Sequence, residues 1–386
     1  MAGRRELLII ALICGVFGVL GWVFYAALFS QVPLQDFMVF YTASRAWLEG
    51  NAALLDHGAA FTAQINERLT PYFSRMLDLH PWVYPPLFLL LVAPLGLLPF
   101  LVAYGTFMAG GFAALMWAVG RLAHHPARRR LAFASLLLAP TTAFTAAVGQ
   151  NAFLTTALMV GGGGMLWRKP LLGGALLGVL SFKPQLWLMV PVALVAARQW
   201  RALVAALGTA AALALASLIM FGAGRWFAWF GLIVGTNPEY QSWLPVGRLN
   251  GQSAYTEALL LGASTGMAQT VQALALLLAA WLVWRAFRAP HAAPDLQTAV
   301  LLSATILAAP HVANYDATML TVAVILFLCR ALEDGFRPGD SILVIGAWSI
   351  ELLDPPQMLR RGLATPFVIL AFIAVLLRRL RSSSET

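Results

Sequence analysis

The sequence predicts an all-α, polytopic transmembrane protein of about 12 spans, with a long outward loop after the first. Three observations carry that prediction. Of the 386 residues, 60% are hydrophobic and 11% are charged, whereas a soluble domain is roughly half apolar and a quarter charged. Apolar runs recur along the whole length, so a single membrane domain fills residues 1–386. The basic residues, which give a formal charge of +9, sit in short clusters between those runs. Clusters so placed set orientation in a membrane, and nucleic acid is not expected as a partner.

The elements follow in order. The first apolar run, Leu7 to Ser30, comes after Arg4 and Arg5. It is longer than the ~7–15 residues of a signal-peptide core, so it reads as an uncleaved span with a cytoplasmic amino terminus. Residues 31–84 form a first outward loop. Within it, Asp36 to Gly50 reads as an amphipathic helix lying on the membrane surface, with Phe37, Phe40, Tyr41 and Trp47 available to the interface. Pro85 to Pro99 is either re-entrant or continuous with the next helix, since a full crossing there would move the Arg128-Arg129-Arg130 loop outside.

The remaining spans fall near 101–121, 132–148, 152–167, 170–183, 186–199, 202–221, 268–286, 296–311, 317–333, 340–353 and 362–379. This register puts Arg121, Arg168, Lys169, Arg198, Arg201, Arg285, Arg288, Arg330, Arg337, Arg378, Arg379 and Arg381 on the cytoplasmic side with the triple arginine, and returns the carboxyl terminus there. Several spans hold only about 14 to 17 residues, which requires shielding by neighbours or a thinned bilayer. Residues 222–267 form a second outward loop. Loops this long without a soluble composition usually carry function.

Some chemistries are excluded. Cys14 and Cys329 lie inside apolar runs and offer neither a disulfide framework nor a thiolate metal site. There is no P-loop, dinucleotide fingerprint, His-Glu-x-x-His or regular arginine ladder, which removes nucleotide-driven pumps and voltage-gated channels.

On this topology the polar residues that interrupt apolar runs collect on the outward face: Asp36, Arg45, Gln150, Asn151, Lys183, Gln185, Asn250, Gln252, Ser253, His311, Asn314, Tyr315 and Asp316. Polar groups at membrane depth are costly and mark a site by default. Lys183, in Ser-Phe-Lys-Pro-Gln, turns on the side that disfavours lysine; a phosphate would give it a partner, and snorkelling to headgroups is the alternative. Asp36 can act as general base toward a hydroxyl, or simply cap the helix that follows. Tyr84-Pro85-Pro86 fixes how the chain approaches the next helix. Gln150–Asn151 is either a plain turn or a pair of amides suited to sugar hydroxyls. His311 and Asp316 carry the ring and carboxylate for proton transfer or metal ligation, and five residues apart they are weak alone.

Asp36-Phe, Arg45-Ala-Trp-Leu-Glu-Gly, Tyr84-Pro-Pro-Leu, Gly149-Gln-Asn, Lys183-Pro and the His311–Asp316 segment, in this order and spacing, resemble glycosyltransferase family 87. These are the polyprenyl-phosphate-mannose-dependent membrane mannosyltransferases of the GT-C fold. The resemblance covers nearly the whole chain. It implies inverting transfer of a hexose, most often mannose, from a polyprenyl-phosphate sugar to a lipid or glycan acceptor at the outer face of the cytoplasmic membrane. Asp36 matches the family's catalytic base, and Lys183, Arg45, Tyr84, Gln150, Asn151, Gln185, Asn250, Ser253, His311, Asn314 and Asp316 fall to substrate binding. No cofactor is implied. Many GT-C enzymes have two acidic residues together in the first loop, whereas Gln35-Asp36 supplies one, so no metal is carried over.

Two rivals remain. A secondary transporter or flippase would place its site near the midplane between repeated halves, but the polar groups cluster at one face and no repeat is evident. A non-catalytic assembly subunit would tolerate Asp36→Ala.

Overall fold

Proline sets helix length in this chain, because it is accepted in a first turn and breaks a helix interior. The computed structural model describes residues 2–123, 125–237, 251–289, 293–353 and 365–382; Asn250, Arg248, Arg360 and Arg361 lie outside the described residues. Among those described, every element is helical. The long helices have no internal proline: α1 (Ala2–Leu28), α5 (Phe100–Leu122), α12 (Trp200–Phe221), α15 (Thr265–Arg288) and α17 (Thr318–Asp334). Between α1 and α5 lie α2 (Gln35–Leu48), α3 (Gly58–Leu69) and α4 (Pro86–Val92). Proline opens α4 and likewise α6 (Pro126–Leu138), α7 (Pro140–Val148), α9 (Pro170–Val179), α10 (Pro184–Trp187) and α16 (Pro294–Ala308). The others are α8 (Ala152–Met165), α11 (Met189–Ala196), α13 (Ala223–Val234), α14 (Ala254–Leu260), α18 (Asp340–Trp348), α19 (Ile350–Leu353) and α20 (Thr365–Ser382).

About twelve complete crossings are not what these lengths give directly. Among the described residues five helices are long and apolar enough to cross a membrane, or six if α6 and α7, bent by 52°, form one broken span. The other apolar helices have 10–17 residues, and at about 1.5 Å per residue they fall short of a ~30 Å hydrocarbon core. They tolerate being short because protein surrounds them: α16 is buried from Leu296 to Ala308 and α8 over most of its length. By contrast α1 and α12 turn most of their apolar surface outward, as lipid-facing helices do. The 85–99 stretch forms α4 and a 3-10 turn to Leu97, then breaks at extended Leu98 and Pro99 before α5, so it is not continuous with that helix.

The centre of the bundle is α16 and α17, packed by α8, α15, α18 and α20. Against α12, α9 presents Gly174 and Gly178, where any Cβ would run into the carbonyls of Ala202 and Ala206. Small residues four apart let membrane helices approach this closely. At one end of the bundle the charge clusters meet: Arg128 pairs with Glu333, Arg330 with Asp295 at 2.9 Å and Glu333 at 3.0 Å, and buried Arg379 with Asp340.

The first loop has its own core, and this corrects the expectation of a surface-lying amphipathic helix. Phe37, Phe40 and Tyr41 of α2 point inward, against Tyr84, Phe88, Phe100, Tyr104 and Phe107. Trp47 packs on Phe221 of α12. Aromatic edges find better partners in other rings than in a headgroup layer once several rings are within 4.5–7 Å. The described part of the second loop region holds α13 and α14.

One glycine ties the loop to the bundle. Gly149 ends α7 with φ +76°, and a Cβ there would lie 2.5 Å from the Phe37 Cβ, while Leu34 N–H donates to the Ala147 carbonyl at 2.8 Å. Gly149→Ala therefore combines a left-handed conformation, costing about 1–2 kcal/mol for an L residue, with overpacking worth about 1–3 kcal/mol. A clear loss of thermal stability in detergent is the expected result; an unchanged unfolding temperature would contradict this packing.

Candidate functional site

Five separate parts of the chain converge at the end of the bundle opposite the arginine clusters. The start of α2 brings Asp36. The coil ahead of α4 brings Tyr84, the α7–α8 turn brings Gln150 and Asn151, the α9–α10 junction brings Lys183, and the segment before α17 brings His311 to Asp316.

Asp36 is in the first turn of α2, whose N-cap position belongs to Leu34 in a left-handed conformation (φ 59°). It is therefore not the cap. A carboxylate in this turn is favoured by the helix dipole, and its Oδ1 lies 3.3 Å from His80 Nε2, with the side chain 19% exposed. Among the described residues Oδ2 has no hydrogen-bond partner.

Extended Pro85 and first-turn Pro86 fix the approach to α4 as the sequence implied, and that geometry aims the Tyr84 hydroxyl at the site. The hydroxyl donates to Gln150 Oε1 at 3.1 Å, and the same oxygen accepts from the Asn151 N–H at 2.8 Å. Burial pushes the Tyr84 hydroxyl well above its usual range, and the nearby Asp36 carboxylate adds to the shift. Tyr84 is thus a neutral donor. The Asn151 amide is buried beside that hydroxyl, yet neither its oxygen nor its nitrogen completes a hydrogen bond among the described residues. Orphaned amides at such a place are rare in native structures and ask for a ligand or water.

Lys183 does not snorkel. It is buried, and its Nζ donates to Asp316 Oδ1 at 2.8 Å and stands 4.7 Å above the Tyr315 ring. Asp316 Oδ2 accepts the Ala313 N–H at 3.2 Å, which closes the turn that begins α17. An ammonium has three donors, so Lys183 keeps capacity beyond this pair. His311 is within electrostatic reach of both Lys183 and Asp316. Tyr315, adjacent to Tyr84, links the Lys183 pair to the Asp36 side.

Other expected site residues are placed differently. Arg45 stands nine residues further along α2, about 13 Å from Asp36 by helix rise, where it binds Glu49 and the Gly96 carbonyl in a network shared with Arg68. Its charge serves the first loop's fold. Ser253 caps α14 by accepting the Thr256 N–H, next to Gln252, whose N–H donates to the Val312 carbonyl at 2.7 Å. Gln185 is half-buried on α10 with no hydrogen bond to the cluster, and Asn314 is half-buried in the 3-10 turn. No group of three or more His, Cys, Asp or Glu gathers as a metal site among the described residues.

Beside the cluster is a small cavity of about 30 Å³, lined by Trp82, Tyr84, Leu89, Phe221, Trp229 and the Arg225–Asp56 ion pair (2.6 Å). Phe227 and Phe230, also on α13, are exposed. The cavity is apolar and aromatic, with charge confined to one wall.

A polar cluster at one end of an apolar helical bundle accords with the sequence pattern that suggested a family, and the family profile decides the matter. The profile of glycosyltransferase family 87 matches residues 82–310, more than half of the chain. The chain belongs to glycosyltransferase family 87. No curated protein and no solved structure matches it. The matched stretch of this family 87 glycosyltransferase holds Tyr84, Gln150, Asn151 and Lys183, while Asp36, His311 and Asp316 lie outside it and join through folding. As a family 87 glycosyltransferase it handles a sugar donor and an acceptor. Sequence reasoning did not single out His80; its only signal was a polar residue four positions before Tyr84.

Proposed function

We propose that this glycosyltransferase moves a hexose, mannose in the simplest reading, from a polyprenyl-phosphate sugar to a lipid or glycan acceptor at the outer face of the cytoplasmic membrane, with inversion and with Asp36 as general base. The observation that supports it best is the carboxylate of Asp36, partly open and with Oδ2 unengaged, beside a buried cluster holding a cation, two tyrosines and an orphaned amide.

The chemistry follows from those groups. The acceptor oxygen attacks the sugar C1 from the face opposite the phosphate, its proton goes to Asp36 Oδ2, and the C1–O bond to polyprenyl phosphate breaks with its electron pair on the phosphate. Negative charge grows on that leaving oxygen, and preorganised donors in a dry site stabilise it far better than water does. Lys183 keeps donors beyond the one on Asp316, and His311 stands near it; both suit the phosphate. The Asn151 amide, whose oxygen and nitrogen want partners, suits sugar hydroxyls, with Tyr84 and Gln150 holding it in place. The Trp82 and Trp229 rings that line the small cavity give the donor's isoprene chain apolar surface to lie against. The arginine clusters gathered at the other end of the bundle favour that end as cytoplasmic, with both termini there.

Donor choice tests the reading. Purified protein in nanodiscs containing a membrane lipid extract is supplied with labelled polyprenyl-phosphate-mannose or with GDP-mannose. Transfer from the lipid-linked donor alone is expected. Transfer from the nucleotide sugar would overturn it, and movement of intact lipid without sugar transfer would favour a flippase.

A further inference from the structure

His80 lies in a coil that has no helix or sheet to hold it, yet four side-chain contacts fix that coil. Asn66 of α3 grips Leu77 from both sides, its Nδ2 donating to the Leu77 carbonyl at 3.0 Å and its Oδ1 accepting the Leu77 N–H at 2.9 Å. Thr62 Oγ1, also on α3, accepts the His80 N–H at 2.9 Å. Trp229 Nε1 of α13 donates to the Val83 carbonyl at 3.2 Å. The backbone on both sides of His80 is thereby pinned, and the imidazole is delivered 3.3 Å from Asp36 Oδ1.

We propose that His80 is a positioning residue: its Nε2–H donates to Asp36 Oδ1 and turns Oδ2 toward the acceptor hydroxyl. The inference rests on the reading of Asp36 as base. An ionised carboxylate only accepts, so the ring nitrogen facing it carries the proton. Holding a reacting oxygen in line is where a positioning contact acts, since small misplacements of a catalytic group cost rate more than binding.

The surrounding charges do not compete for His80. On its own coil, Arg75 and Asp78 face each other at 3.6 Å and are exposed. On α3, Glu67 is exposed and Arg68 is bound to Glu49. On α13, Arg225 is bound to Asp56, which has His57 beside it. Across the cluster, Asp36 faces Tyr84 and Tyr315, and Lys183 is on Asp316.

The test compares His80→Ala and His80→Gln in the full-length protein, since a Gln amide reaches the place of Nε2 and donates without titrating. His80→Ala is expected to lower kcat about tenfold with KM for donor and acceptor within about twofold. His80→Gln recovers most of that kcat. Wild-type kcat in both variants would overturn the proposal. So would equal loss in both with raised KM and a lowered unfolding temperature, which is the pattern of a coil that has merely come loose. If Asp36→Asn also keeps full activity, the base reading fails; if Asp36→Asn is dead while both His80 variants behave as wild type, only the role of His80 fails.

Discussion

Asp36→Asn is expected to reduce sugar transfer about 10³-fold, within the range a positioned general base supplies, while the protein stays folded. Asn keeps the size of the side chain and its amide oxygen can still accept from His80. It removes the charge that takes the acceptor's proton. The cost to folding is small: Asp36 is partly open, and the loss of a first-turn carboxylate from a helix is worth about 0.3–1 kcal/mol. Initial rates of the purified variant, alongside its thermal unfolding, check both halves. Turnover within a few-fold of wild type would remove Asp36 as base.

The second large effect falls on stability. Lys183→Ala leaves the Asp316 carboxylate, 3% exposed, without its cation. Removing one partner of a buried pair costs about 3–5 kcal/mol, because an uncompensated charge stays behind. Asp316 also closes the turn that opens α17 through the Ala313 N–H, so the disturbance reaches the helix at the bundle centre. The single variant is therefore expected to unfold well below wild type. The double variant Lys183→Met/Asp316→Leu replaces the pair by apolar groups and is expected to regain most of that stability without regaining transfer. In the double variant, binding of the polyprenyl-phosphate donor is expected to weaken more than binding of the acceptor. Recovery of transfer along with stability would show that Lys183 serves the fold alone.

The sequence made the bundle legible through its apolar runs, and it made part of the site legible because polar residues are so costly among them. Asp36, Gln150, Asn151, Lys183 and Asp316 stood out for that reason, although they are dispersed from residue 36 to residue 316, and Tyr84 stood out through the two prolines after it. What it hid was pairing. Nothing in the Ser-Phe-Lys-Pro-Gln turn indicates that the Lys183 partner is Asp316, 133 residues away. The aromatic stripe of α2 has the same spacing whether it faces headgroups or other rings, and only the position of Tyr84, Phe88 and Phe100 decides. Arg45 looked like a site cation because composition does not reveal that Glu49 and Gly96 hold it elsewhere. His80 was invisible because coil carries no periodicity. The number of complete crossings was hidden by proline, which shortens helices that the protein interior then shields.

The central claim is that this family 87 glycosyltransferase draws its sugar from a lipid phosphate and uses Asp36 to activate the acceptor. Its most direct test is to give wild type and Asp36→Ala, each in nanodiscs with a membrane lipid extract, polyprenyl-phosphate-mannose labelled in the sugar, and to determine the anomeric configuration of any new product. The account predicts label in a new lipid or glycan with wild type alone, at inverted configuration relative to the donor. Retained configuration, or equal product from Asp36→Ala, would contradict it.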